Sequence, residues 1–422
     1  MADVNVIGGG PNGLAAAVTM ARAGLSVDLY ERGETLGGGA RTRELTLPGF
    51  HHDVGSAVHP MGLASPFFRA FQLARRIEFA VPEISYVHPL QAGSAGVAYR
   101  DLDRTADALG PDGRAWRSLF GALVEHIDGV TDFTGSQLLR MPRDPLTAIR
   151  FGLLTLEQGG PAWNRRFRGE TARAMLSGVS AHSIGRMPGL ASSGAGLVLA
   201  AHAHARGWPV PVGGSQAIIG ALEDDFLAHG GRVFTGVDVE GLESLPTARA
   251  TVLDVSAASL NRIAGDRLPA AYRAALRRFR FGDGIAKADF ALSAAVPWSN
   301  DEARRTPTLH LGGTRSSIAK AEAEVAAGRM PHEPYVLVSQ PSVVDPSRAP
   351  AGSTCCGRTS TFPAVRRSIP PRSSPVRWRS TLRVSATSSR PRRRCRRSSS
   401  STTIRTSSAA TSRPARSRWR RC

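Results

Sequence analysis

The chain has 422 residues, a formal net charge of +20 and 41% hydrophobic residues, enough to bury the core of two intertwined domains. Of its 54 Lys and Arg, 19 arginines lie in residues 355–422, a stretch with no Lys, Asp or Glu, which leaves 35 basic residues facing 34 acidic ones in residues 1–354. A near-neutral body of this kind is not a nucleic-acid-binding domain, and arginine runs confined to the end attract phosphates without sequence selectivity.

Val4-Asn5-Val6-Ile7 reads as a short apolar strand, Gly8-Gly9-Gly10 as a turn, and Pro11-Asn12-Gly13-Leu14 as the start of a helix. Gly8, Gly10 and Gly13 fit the dinucleotide fingerprint. The first permits the tight turn, the second lets the backbone approach a pyrophosphate, and the third lets helix and strand pack closely. The helix N-terminus adds free N–H donors and the positive end of its dipole. Ala15 to Ala23 supply a small-residue helix that stops at Gly24, and Leu25 to Tyr30 read as a second strand. Glu31 follows Gly13 by 18 residues, where this fold needs an acceptor for a ribose hydroxyl. A second glycine cluster, Gly37-Gly38-Gly39, lets the backbone pass close to the same pyrophosphate or to a ribityl chain.

Helical spacing follows over Pro66–Ile77, and weak alternation over Tyr86–Asp101 predicts strands that open a substrate-side region. Helices are expected at Arg114–Val130, Pro145–Leu156 and, rich in small residues, between Met175 and Ala205. His202 and His204 stand two apart and share no helical face, so satisfied or solvated histidines are expected there and no metal site. Ser215 reads as the N-cap of a helix to about Ala228, with Ile218, Ile219, Leu222 and Phe226 on its buried face and Gly230-Gly231 as its end. Arg232–Thr235 and Val237–Val239 read as strands, and Ala250–Val255 as another core strand. Ser259–Ile263 and Ala270–Phe279 look helical. Ile285–Leu292 reads as a strand that places Lys287 on one sheet face.

All four cysteines (Cys355, Cys356, Cys395, Cys422) fall in the arginine-rich tail, so the body holds no disulfide and no metal-thiolate cluster. Met1-Ala2-Asp3 lacks a basic n-region, and no apolar run reaches 18 residues. A cytoplasmic protein without a membrane span is expected, with peripheral membrane contact left open.

The pattern through Gly39, followed by Pro48-Gly49-Phe50-His51-His52-Asp53-Val54-Gly55-Ser56, resembles the phytoene desaturase and amine oxidase superfamily of FAD enzymes. Within it the resemblance is closest to the pyridine nucleotide-disulphide oxidoreductase domain-containing protein 2 branch. Gly207 to Ala217 and Lys287 to Leu292 extend the similarity over most of residues 1–354. The resemblance implies an α/β fold: a discontinuous Rossmann-type FAD-binding domain (1–65 and 207–265) with an inserted α+β substrate domain (66–206 and 266–354). It implies that Gly8, Gly10, Pro11, Asn12 and Gly13 hold the FAD pyrophosphate, and that Glu31, with Arg32 beside it, holds the adenosine ribose. Gly37 and Gly38 match a second glycine pair. Arg41, with Thr42, is either a phosphate or ribityl contact or a solvated arginine. Val239 is either a backbone contact to adenine or an ordinary strand valine. FAD outranks NAD because NAD sites generally lack the second glycine cluster. Lys287 is either a lysine near flavin N5 or a surface or ion-paired one, and His51 and His52 either approach the flavin or are structural.

The expected activity is hydride transfer from a C–H bond of an apolar small molecule to FAD, with no catalytic residue assigned. A flavin-dependent amine oxidase is a rival, disfavoured because no aromatic cage is visible in a chain with 6% aromatics. A non-catalytic or truncated product with a vestigial fold is another.

From Cys355 onward the chain contains no Asp, Glu, Lys, Asn, Gln, His or Tyr, the residues whose codons carry A at the second position. A GC-rich gene read out of frame produces this bias. Shifting back by one nucleotide makes Ser353–Pro363 compatible with Ser-Thr-Val-Leu-Trp-Ala-Tyr-Val-His-Val-Pro. Thr403–Ser412 becomes compatible with a Pro-Asn-Phe-Val-Gly-Gly-Asp-Ile run, and both resemble the family. Residues 355–422 are therefore expected to be a frameshifted, disordered basic tail, lacking the segment that in the family closes the FAD domain.

Overall fold

The computed structural model describes residues 1–137, 140–363 and 405–408. β1 (Val4–Ile7) leads through the glycine turn into α1 (Pro11–Arg22) and back into β2 (Val27–Tyr30). The pair β3 (Thr42–Glu44) and β4 (His51–Asp53) follows, then α2 (Pro66–Ala70), α3 (Leu73–Arg76) and β5 (Phe79–Ala80). β6 (Ile84–Pro89) and β7 (Ala95–Tyr99) form a hairpin. Six helices come next: α4 (Leu102–Ala108), α5 (Gly113–Glu125), α6 (Ile127–Thr134), α7 (Pro145–Gly159), α8 (Glu170–Ser180) and α9 (Leu190–Ala205). β8 (Val210–Pro211), α10 (Gln216–Ala228), β9 (Arg232–Phe234) and β10 (Ala250–Leu253) return the chain to its first unit. The last stretch holds α11 (Ala257–Ala264), α12 (Ala270–Arg278), β11 (Gly284–Leu292), α13 (Asp301–Arg305), β12 (Thr308–Leu311), α14 (Arg315–Ala326), β13 (Val336–Ser339), β14 (Thr354–Phe362) and β15 (Arg405–Ser408).

The first sheet is parallel, in the order β10-β1-β2-β9. Strand alternation sends Val4 and Val6 to one face, where they pack with Leu14 and Val18 of α1 and Ile219, Leu222 and Phe226 of α10. Ile7 and Tyr30 meet Val239 and Ile263 in a separate apolar cluster. β1 and β2 are buried along their whole length, as a parallel sheet with both faces covered requires. Both outer strands come from residues beyond 230, so this Rossmann unit is discontinuous in the chain.

The second sheet is mixed, in the order β15-β11-β14-β13-β12-β6-β7. Against the β6–β7 end lies a helical cluster whose core includes Trp116, Phe120, Phe167, Leu197 and Trp208. The molecule is thus α/β with an inserted α+β part.

Four local expectations are corrected. Pro66–Ile77 is two short helices, broken where Gln72 takes φ 57°. The Arg114–Val130 helix breaks at His126, whose φ −106° and ψ 37° leave the helical region. Val237–Val239 is not a strand: β9 ends before Gly236, whose φ of +71° turns the chain away. Ala250–Leu253 is the exposed edge of its sheet, not a core strand.

The tail boundary moves as well. Residues 354–362 form β14, paired with β11 from Gly284↔Phe362 to Leu292↔Thr354 and with β13 on its other side. Cys355 and Cys356 are buried there. Residues 364–404 and 409–422, on which the rest of the expected disorder falls, lie outside the described residues.

Candidate nucleotide site

Each fingerprint glycine has its own steric reason. Gly8 holds φ +107°, and a Cβ there would lie 2.3 Å from the Asp254 carbonyl oxygen. A Cβ on Gly13 would lie 1.9 Å from the Gly8 carbonyl oxygen, so helix and turn are packed to backbone contact. Gly10 differs: the nearest atom to a Cβ there is Asp254 Oδ2 at 3.4 Å, and no other lies within 4 Å of it. α1 begins at this residue without a side-chain cap, and Pro11 occupies its first turn. The helix end is not wholly free, however, because the Gly13 N–H donates to Asp254 Oδ2 at 2.8 Å. That carboxylate arrives from the end of β10, 241 positions away.

Glu31 sits at the end of β2. Its Oε2 accepts the Gly9 N–H at 2.8 Å and its Oε1 the Gly33 N–H at 2.7 Å. Each oxygen retains a lone pair, so the carboxylate is oriented by the two turns and still able to accept from a ribose hydroxyl. Arg32 is exposed.

The second glycine cluster lies directly on the first. Gly37 N–H donates to the Gly9 carbonyl at 2.7 Å. A Cβ on Gly38, which has φ +52°, would stand 3.2 Å from Gly10 Cα, while nothing lies within 4 Å of one on Gly39. Two backbone turns thus form one glycine-built cradle at the α1 N-terminus, with the Asp254 carboxylate at its edge. Arg41 folds over it: Nε donates to the Gly38 carbonyl at 2.7 Å, and burial together with nearby Arg43 lowers its pKa, opposed by Glu31. Thr42 is committed to the protein, donating to Asp53 Oδ1 at 2.7 Å and accepting the Gln216 N–H at 3.1 Å.

Val239 is buried against Ile7 and Tyr30, at the carboxyl ends of β1 and β2, where open α/β sheets bind ligands. Its carbonyl accepts from Arg262 at 3.3 Å. Ser215 precedes α10 as expected, but its hydroxyl donates to the Ser56 carbonyl at 2.7 Å and caps nothing.

Sequence reasoning missed a buried charge cluster where β4 meets β11 and β14. Asp53 pairs with Arg348, and both side chains are almost wholly buried. Burial pushes the Asp53 carboxyl up, but the guanidinium and the hydrogen bonds from Thr42 and Ser215 reverse this and leave it below the usual range. Beside it, His52 Nδ1 lies 3.6 Å from Asp289 Oδ1, and Asp289 is ion-paired with Lys287. Burial pulls His52 down to about 4, against the pull of Asp289, so its ring is neutral at pH 7. His51 contributes its carbonyl to Arg348 Nε at 3.2 Å. The His51-His52-Asp53 run and Lys287, here the ion-paired lysine of the two readings, each pointed here separately; Arg348 joins from nearly 300 positions away.

His202 and His204 are buried and have protein partners. His202 Nε2 lies 3.3 Å from the Thr131 hydroxyl, and His204 bridges the Tyr99 carbonyl and the Trp116 indole at 2.8 and 3.0 Å.

With this geometry in place, the comparison with known proteins is direct. Residues 6–76 match the NAD(P)-binding Rossmann-like domain family. The chain carries a Rossmann domain. Uncharacterized proteins of Mycobacterium bovis and Mycobacterium tuberculosis are 27% identical to it, over 82% of this chain and 70% of theirs. The carotenoid 3,4-desaturase of Haloarcula japonica is 46% identical over 59 residues, 14% of this chain and 12% of the desaturase. Among solved structures, an oxidoreductase from Methanosarcina mazei has a TM-score of 0.51 at 16% identity, covering 86% of this chain and 79% of that one. Rab GDI from Plasmodium falciparum reaches 0.52 at 11%, covering 86% and 82%. The fold therefore extends beyond the Rossmann domain to the second sheet, and the resemblance to the desaturase and amine oxidase superfamily is borne out.

Proposed function

We propose that this chain is an FAD-dependent oxidoreductase that takes a hydride from a C–H bond of an apolar small molecule, in the manner of the phytoene desaturases. The observation that carries the reading is the double cradle, with Gly38 stacked on Gly10, Gly37 N–H bonded to the Gly9 carbonyl, and Glu31 held by the Gly9 and Gly33 N–H groups. Gly8, Gly10, Pro11, Asn12 and Gly13 would hold the pyrophosphate, Glu31 and Arg32 the ribose, and Val239 the adenine. Gly37, Gly38, Arg41 and Thr42 would border the ribityl side. FAD, when bound, supplies the hydride acceptor; the protein binds, orients and excludes water. The second glycine turn, laid on the first, supports FAD over NAD.

The near-neutral body supports a small-molecule substrate over nucleic acid, and we place the protein in the cytoplasm. Among the described residues no helix is long and apolar enough to cross a membrane. A frameshift near residue 354 is part of the same reading. Its support is that β14, an interior strand, carries Cys355, Gly357 and Ser360 where restored codons would supply Val, Trp and Val, β-branched and aromatic residues suited to an interior strand.

A non-catalytic chain is the second reading, since one fold hosts many functions. The absorption spectrum of the purified full-length protein decides between them, with equilibrium dialysis against FAD and NAD. A flavin spectrum, or retention of added FAD but not NAD, is expected; colourless protein that takes up neither sides with the second reading.

A further inference from the structure

α7 is amphipathic in the wrong place for a helix facing water. Thr147, Ala148, Phe151 and Gln158 turn inward, while Leu146, Ile149, Leu153 and Leu156 are 79, 60, 62 and 57% exposed. Their spacing puts these four side chains on one stripe of the helix. Leu190, 54% exposed, continues it at the start of α9, where its Cα would lie 3.1 Å from a Cβ on Gly159. Monomeric proteins rarely leave so contiguous an apolar surface in water.

The stripe has a basic border. Arg150 is exposed on the same helix. At the C-terminal end of α7 an open cleft is lined by Arg114, Arg165, Arg166 and Arg168. The acids beside it are already committed. Glu157 is held by Arg166 at 2.5 and 2.6 Å, and Asp112 accepts the Arg168 and Gly169 N–H groups, each at 2.7 Å. Among the described residues Arg114, Arg150, Arg165 and Arg168 have no acidic partner within 4 Å.

We propose that this face docks on a bilayer containing anionic phospholipid, with the α7 stripe at the acyl boundary and the arginine cleft on lipid phosphates. A two-fold contact with a second copy fits the charges less well, because it would bring arginines against arginines. The inference does not depend on the flavin reading.

Flotation of the full chain with phosphatidylcholine vesicles, with and without phosphatidylglycerol, tests it. Salt is held at one physiological value throughout, and the arginine-rich terminus, common to every variant, contributes equally to each. The wild-type chain should float with the phosphatidylglycerol vesicles, and Ile149→Glu with Leu153→Glu should lower the bound fraction at least tenfold. The milder Ile149→Ser with Leu153→Ser should move it the same way, with an unchanged melting curve. Arg165→Glu with Arg168→Glu should abolish the preference for phosphatidylglycerol. Wild-type protein that stays unbound, or apolar variants that float as well as wild type, would overturn the proposal. So would sedimentation showing a dimer that the Leu153→Glu variant breaks.

Discussion

Gly10 and Gly13 stand three positions apart in one motif, yet they answer to different forces. A methyl group on Gly13 collides with backbone that cannot retreat, since the Gly8 carbonyl it meets at 1.9 Å belongs to the turn itself. Gly13→Ala should therefore cost about 1–3 kcal/mol of folding stability, read from urea denaturation. Gly10→Ala meets only a carboxylate oxygen at 3.4 Å and should leave the urea midpoint within about 0.5 kcal/mol of wild type. On the proposed reading it would fill the space that a pyrophosphate takes, so FAD retention in dialysis should fall at least tenfold. Equal loss of stability in both variants would mean that Gly10 is merely structural. The fingerprint was legible because its demands are local: a φ as large as +107° at Gly8 favours glycine strongly, and backbone contact at Gly13 leaves no room for a Cβ. Asp254 was not legible, since nothing near Gly13 announces that a carboxylate will arrive to take its N–H. Arg348, buried on Asp53, escaped notice for the same reason.

Among whole elements, helices and strands with strong periodicity were found in the right places, and the misreadings occur where one residue ends an element. Val237-Asp238-Val239 alternates like a strand, but after a left-handed glycine it keeps only the single Val237 N–H to Glu31 carbonyl bond at 3.0 Å and forms no ladder, and Val237 stays exposed. Composition likewise gave no sign of β14, because Cys-Cys-Gly-Arg-Thr-Ser-Thr-Phe lacks the β-branched run that usually marks an interior strand. Neighbours on both sides supply its hydrogen bonds, and pairing across a sheet can override weak propensity. A gene with the frame restored after residue 353 places Val-Leu-Trp-Ala-Tyr-Val-His-Val across this register. Its product should be more stable than the present chain, with a higher urea midpoint, and should retain FAD more tightly. Resequencing that confirms an uninterrupted frame in both DNA and protein would remove the frameshift reading, and an unstable restored product would count against it as well.

The molecule as a whole stores an unusual number of histidines out of contact with water. His88, His182 and His310 cluster with Tyr86, Trp208 and Tyr335 under the second sheet; His182 and His310 approach at 2.9 Å between their Nε2 atoms, and His88 donates to the Gly313 carbonyl at 2.7 Å. Burial lowers His52, His88, His182, His202 and His204 from 6.5 to about 4 and holds His310 well below its ordinary value, so all are neutral in the folded state at pH 7. Unfolding frees them to bind protons at their ordinary pKa near 6.5. Between about 6.5 and 4 the unfolded chain therefore holds more protons than the folded one, and stability must fall as the pH falls. Each such histidine contributes about 1.4 kcal/mol per pH unit once the pH is well inside that window. Carboxylates such as Asp53, held below their usual range, act only at lower pH, so an early onset separates the two causes. Urea midpoints measured from pH 7.5 down to 4.5 should hold steady to about 6.5 and then drop steeply. Replacing His88 by Gln, which keeps a donor for the Gly313 carbonyl, should flatten the slope by one histidine's share. A midpoint unchanged down to pH 5 would mean that these rings are reached by water in the folded protein.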